Sequence, residues 1–170
     1  KCIIQIISLI NEKQWHFTKI PVKSLVATLV ELFPSFVIYY SLSLCSASDN
    51  KQEFSKLLEA NVAKFAAIYI LHEPGSMMAD DFYFTWNSLL PTGMRMTSEY
   101  LKGVAIEKDN GKIITYFSKS KLSLDPILRF NQIFEAKEKW TRLEIEPYIM
   151  DLIDKDTSVN LLAKFCNKLT

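Results

Sequence analysis

The hydrophobic pattern along the chain is that of a helical protein with short interruptions of strand character. Residues 2–12, 22–33, 61–72, 80–90, 126–138 and 142–153 each place apolar side chains three and four positions apart, which puts them on one helix face. Residues 98–102 predict a shorter helix that ends before Gly103. The stretch FVIYYSLSL, 36–44, is apolar almost throughout and reads as helix or strand. In VAIEKDNGKIITYFSK, 104–119, two runs of strand character flank Asp109-Asn110-Gly111, and Asn-Gly is the strongest short hairpin signal. Local chemistry marks several helix ends. Asp80 and Asp81 sit in a first turn, where the helix dipole favours acids, and Pro91 follows the last turn. Thr141 and Glu144 stand at the spacing of a capping box. Pro147 lies deeper in that helix, where it removes a backbone donor at about 3 kcal/mol, so a bend is expected.

These elements repeat. NEKQWHFTKIPVKSLVATLVELF, 11–33, and AKEKWTRLEIEPYIMDLI, 136–153, share an order: an apolar helix, a Glu-Lys pair, a Trp, then a second helix. Residues 60–91 form a third such stretch, broken at Pro74-Gly75. A fixed period is read before any fold is assigned. The division is 1–59, 60–121 and 122–170. Units of roughly 60 residues are near the lower limit for independent folding, so neighbours should pack on one another. In the middle unit, three helices precede a β-hairpin, the order of a winged helix, a helix-turn-helix with a hairpin "wing". In the first unit Asp49-Asn50 predicts a turn and QEFSKL a returning wing strand. In the last, Thr157 or Ser158 caps a helix to about 167, and the chain stops where a wing would begin. The fold expected is α+β, mostly helical, with three tandem winged-helix domains packed together. Trp15 and Trp140 should close the small cores between first and second helices, a packing role rather than a chemical one.

Composition narrows the chemistry. Twenty basic residues oppose 19 acids, a net charge of +1, so no global field draws in a polyanion and a nucleic-acid face must be local. Four glycines in 170 residues argue against Gly-rich phosphate loops. Cys2, Cys45 and Cys166 are odd in number and lack a CxxC, so neither a disulfide framework nor a zinc site is expected. His16 and His72 are far apart in sequence, and GxSxG, Walker and GxGxxG motifs are absent from it. No cofactor, metal, small-molecule substrate or enzymatic activity is expected. The opening KCIIQIISLIN is too short to span a bilayer and no cleavage site follows it, so no membrane role is expected either. It reads as a helix cut near its start, as in a fragment of a longer protein.

The charge map locates two basic stretches. Arg95 to Lys121 holds six basic residues against three acids and covers the predicted third helix and wing of the middle unit, with Lys102, Lys108 and Lys112 among them. In the last unit Asn160, Lys164 and Lys168 fall at i, i+4 and i+8 on one helix face, with Lys155 before them. Third helices and wings are the parts of helix-turn-helix readers that meet a groove and its phosphates. An ordinary solvated basic face explains the wing lysines equally well. No Arg cluster suited to bidentate guanine readout is present, so DNA contact would be sequence-neutral and salt-sensitive.

QWHFTKIP, LLPTGM and above all EKWTRLEIEPYIMDL resemble the C-terminal half of the Dcc sister-chromatid cohesion family, a subunit family of the alternative, chromosome-transmission-fidelity replication factor C clamp loader. The resemblance runs in order across most of the chain. It implies tandem winged helices, a nuclear location and a non-catalytic role on chromatin in sister-chromatid cohesion and replication. It also implies contact with single- and double-stranded DNA, carried here to Lys164 and Lys168 and then to the middle wing. The other clamp-loader subunits would join through an N-terminal half that this chain lacks. The alternative reading is a winged-helix protein-interaction scaffold with little DNA binding of its own, favoured by the neutral charge and the apolar first unit.

Overall fold

The computed structural model describes residues 1–46 and 53–152, an α+β arrangement in which helices dominate. Helix α1 (Cys2–Glu12) buries Ile6, Ile7, Leu9 and Ile10, the face that the spacing predicts. Strand β1 (Ile20–Pro21) leads into α2 (Val22–Leu29), which stops short of residue 33. The ambiguous apolar stretch is a helix, α3 (Ser35–Cys45), whose Ile38 and Leu42 recur at i and i+4 and are buried. Strand β2 (Phe54–Ser55) pairs antiparallel with β1, Ile20 opposite Ser55, so the predicted returning strand exists. The predicted Asp49-Asn50 turn lies outside the described residues.

The second repeat runs α4 (Glu59–His72), β3 (Ser76–Met78), α5 (Ala79–Leu89), a 3-10 turn (Ser98–Leu101), β4 (Ala105–Lys108) and β5 (Ile113–Tyr116). The three strands form an antiparallel sheet in the order β3-β5-β4. Asn110 (φ 54°) and Gly111 (φ 84°) take the left-handed backbone that a two-residue hairpin turn requires, and the Lys112 amide donates to the Asp109 carbonyl across 3.1 Å. The third repeat supplies α6 (Pro126–Ala136) and α7 (Arg142–Ile149). Asp125 caps α6 by accepting from the Leu128 amide, and the Thr141–Glu144 capping box is present in both directions. Pro147 has no amide to offer the Leu143 carbonyl, and α7 gives way to a 3-10 turn (Met150–Leu152) after Ile149. The predicted helix to residue 167 lies outside the described residues.

The first two repeats share one core. Buried residues from Cys2 to Ile114 form a single cluster, in which α4 packs against α1, α3 and α5. Trp86 is fully buried, stacks on Phe82 at 5.5 Å and donates its indole N–H to the Ala63 carbonyl at 2.9 Å. Trp15 packs on the edge of this cluster, as expected. A second, smaller cluster holds Phe130, Ile133, Ile145, Tyr148 and Ile149, with Phe117 and Trp140 against it. It also contains Ile106 of β4. Neighbouring side chains on a strand point to opposite faces. Ala105 therefore serves the large core and Ile106 the small one. Tyr148 crosses the same boundary, its hydroxyl donating to the Ala105 carbonyl at 3.1 Å.

Trp86→Ala should destabilise the protein by about 3–5 kcal/mol, by leaving a cavity and removing the indole's hydrogen bond to the Ala63 carbonyl. Because the core is shared, calorimetry should show the first two repeats melting together at a lower temperature. One repeat keeping its original transition would contradict a common core.

Candidate nucleic-acid interface

Of the seven residues that the sequence nominates for DNA contact, Lys155, Asn160, Lys164 and Lys168 lie outside the described residues. The other three lie on the second repeat. Lys102 follows the 3-10 turn and forms an ion pair with Glu99, three positions back. That turn replaces the expected third helix. Four residues at about 2 Å rise each make it too short to lie along a groove. Lys108 and Lys112 flank the hairpin tip, and neither forms an ion pair with a described residue.

The hairpin does not stand free. A cleft lined by residues 107–111 on one side and by Ala136, Lys137 and Glu144 on the other sets the tip beside the junction of α6 and α7. Glu107 and Asp109 stand next to Lys108, and Glu107 accepts a 3.4 Å hydrogen bond from the Tyr83 hydroxyl. Burial, and then the charge of Glu107, hold the Tyr83 hydroxyl above its ordinary pKa. Several nearby cations are engaged internally. Lys119 faces Asp151 at 3.7 Å, Lys121 lies 4.7 Å from the Tyr116 ring centre, and Lys137 pairs with Glu144 while lying over Trp140. The basic excess of this stretch is therefore partly spent inside the fold, leaving the half-buried Lys108 and the exposed Lys112 beside the tip.

Trp140 explains why the stretch before α7 is extended. Its indole N–H donates to the Lys137 carbonyl at 2.6 Å, and its ring meets Tyr148 edge-on at 5.6 Å and Phe117 at 6.1 Å. Glu144 closes the capping box and holds Lys137. Desolvation pushes its carboxyl up, but hydrogen bonds from Lys137 and Thr141 and the Lys137 charge outweigh this, leaving it below the usual glutamate value.

Arg129 is the residue that sequence reading missed. It lies on the buried face of α6 and is 1% exposed. Its Nη1 donates to the Tyr148 carbonyl at 3.0 Å and to the Asp151 carboxylate at 2.6 Å, and its Nε donates to the Ser123 carbonyl. The signal was an Arg four residues before Ile133, on the apolar stripe rather than opposite it.

The first repeat offers no cation on α3. That helix buries one face, with Ile38 and Leu42, and exposes Phe36 (72%) and Tyr40 (65%) on the other. Cys2 and Cys45 are buried free thiols. Burial and the neighbouring Cys2 push the Cys45 thiol up to about 12, which keeps it protonated and un-nucleophilic at neutral pH. Among the described residues no cluster of His, Cys, Asp and Glu is disposed to hold a metal ion, and no helix is long and apolar enough to cross a membrane.

Comparison with known proteins places this arrangement. Residues 1–149 match the family model for the sister chromatid cohesion protein Dcc1, so the chain belongs to that family. Its relatives include sister chromatid cohesion protein DCC1 of Danio rerio, 29% identical over 96% of this chain and 44% of the relative. The Xenopus laevis protein of that name is 30% identical over 97% of the chain and 44% of the relative, and the Homo sapiens protein 28% over 97% and 43%. The chain thus spans less than half the length of these curated relatives.

The lowered carboxyl of Glu144 fixes the sign of a pH effect. A group with a depressed folded pKa stabilises the fold above its unfolded value, near about 4.3, and loses that contribution as the pH falls through the folded value. Glu144→Gln should lower the melting temperature at pH 6 and flatten the acid limb of the stability curve. Parallel acid limbs in variant and wild type would contradict this.

Proposed function

We propose that the chain is a non-catalytic, sequence-independent DNA-binding module of the cohesion machinery, built from three tandem winged-helix units. The observation that carries this reading is the repeated order in the first two units, in which the strand between the first two helices pairs with a strand returning after the third helical element. Lys108 and Lys112 at the tip of the second hairpin support phosphate contact there. The main contact is assigned to the last unit, through Lys155, Asn160, Lys164 and Lys168, whose spacing in sequence sets the last three on one helix face. Within a longer protein, this module helps to recruit the alternative clamp loader to chromatin in the nucleus, while the remainder of the protein joins the other loader subunits.

A second reading has its own observation. The uncharged α3 exposes Phe36 and Tyr40, and Leu32 ahead of it is exposed too, apolar side chains suited to another protein rather than to phosphates. In that reading the chain is a winged-helix scaffold with little intrinsic DNA binding.

Fluorescence anisotropy with labelled single- and double-stranded DNA separates the two. With roughly two to four phosphate contacts, log Kd should change with log salt at a slope of about 2 to 3.5 on duplex. Lys164→Glu/Lys168→Glu should abolish most of the binding at an unchanged melting temperature, and Lys108→Glu/Lys112→Glu should reduce it less. Absence of binding at about 50 mM salt, where phosphate contacts are strong, would reject the DNA reading and favour the scaffold.

A further inference from the structure

The two-stranded sheet of the first repeat presents chemistry that its packing does not use. Ile20 of β1 and Ser55 of β2 stand opposite one another and are buried. Side chains alternate along a strand, and residues 54–57 follow that rule: Phe54 and Lys56 are exposed, Ser55 and Leu57 buried. Phe54 and Lys56 therefore share the outer face. Lys19, exposed just before β1, joins them, its ammonium 4.8 Å from the centre of the Phe54 ring. Backbone hydrogen bonds fix the segments that carry this group. The Lys19 amide donates to the His16 carbonyl at 2.9 Å, the Leu57 amide to the Phe17 carbonyl at 2.9 Å and the Val22 amide to the Glu53 carbonyl at 3.1 Å. Glu53, next in the chain, falls by the same alternation on the other side of the strand from Phe54.

Two features separate this face from an ordinary solvated one. Three lysines lie over aromatic rings among the described residues, but Tyr116 and Trp140 are half-buried and packed against the cores, whereas Phe54 is exposed and belongs to neither buried cluster. Neither Lys19 nor Lys56 forms an ion pair with a described residue, so both charges remain for a ligand. An exposed ring between free ammonium groups suits a nucleotide: the ring stacks on the base, and the lysines meet the phosphates beside it. A base inside a duplex is already stacked on its neighbours, so such a ring selects an unpaired strand. We propose, on the reading that the chain binds DNA, that Phe54, Lys19 and Lys56 form a single-stranded DNA site on the first repeat, separate from the contacts of the second and third. Without a strand, the ring receives the Lys19 ammonium through a cation–π contact. With one, a base takes that place and the ammonium moves to a phosphate.

The test uses the full chain and three labelled probes in anisotropy: an oligothymidine, an abasic strand with the same number of phosphates, and a duplex. The wild-type chain should bind the oligothymidine at least about fivefold more tightly than the abasic strand. Phe54→Leu keeps apolar bulk and removes the ring. It should erase that preference, leave duplex binding unchanged and keep the melting temperature, since Phe54 lies outside both cores. Phe54→Trp should retain the preference, and oligothymidine should quench its introduced indole beyond the quenching seen in wild type, which a purely structural ring would not show. Lys19→Gln/Lys56→Gln should weaken both single strands and lower the salt slope by about 1.4, two contacts at roughly 0.7 each. Equal wild-type affinity for the oligothymidine and the abasic strand, or a folded Phe54→Leu that keeps the preference, would overturn this site while the DNA reading stands. A wild-type chain that binds none of the three probes would reject both.

Discussion

Everything in the third repeat depends on a strand that belongs to the second. The two faces of β4 carry different obligations: Ala105 turns into the large core and Ile106 into the small one. Tyr148 ties the faces together through its hydrogen bond to the Ala105 carbonyl. Burial holds that phenol well above its ordinary pKa, so it stays a donor across the working pH range. A hairpin committed on both sides cannot swing as a free wing. Only its tip, with Lys108 and Lys112, is left to meet a ligand, and Glu107 and Asp109 beside it moderate the local charge.

Size explains why the repeats are fused in this way. Units of about 60 residues bury too little surface to stand comfortably alone. The first two solve this by pooling apolar residues around α4, whose small Ala63, Ala66 and Ala67 allow helices to approach closely on its buried face. Among its described residues the third has a handful of buried side chains, and they pack with Ile106 and Phe117 of the second. Arg129 then closes the far end of this small core by capping α7 and holding Asp151. An Arg in such a place is expensive to desolvate, and its three acceptors offset that.

Much of this was legible beforehand because it is written in local chemistry. The capping box at Thr141 and Glu144, the Asn110-Gly111 turn and the stripe of α1 each follow from a few neighbouring residues, and each is present. The helix ends at Leu29 and Ile149 fell earlier than periodicity suggested; in α7 the cause is Pro147, which acts on backbone while periodicity follows side chains. The reading of 36–44 stayed open because a run apolar on all sides has no period, and contacts with α1 and α2 decide it. The third helical element of the second repeat shrank to one 3-10 turn, which weakens Lys102 as a groove contact. Arg129 was invisible because its partners are 6, 19 and 22 residues away. The strongest nominations, Lys164 and Lys168, lie outside the described residues and rest on spacing and family resemblance.

Membership of the Dcc1 family gives the chain its setting in sister chromatid cohesion, and the fold gives it a joined surface rather than three independent modules. The central claim is that the second and third repeats are energetically coupled through β4. A double-mutant cycle tests it most directly: Ile106→Ala, Ile145→Ala and the pair, with chemical denaturation followed by tryptophan fluorescence. Coupling of about 0.5–3 kcal/mol between the two sites is the predicted result. Effects that add to within about 0.3 kcal/mol would contradict a shared core and leave the third repeat as a separate body.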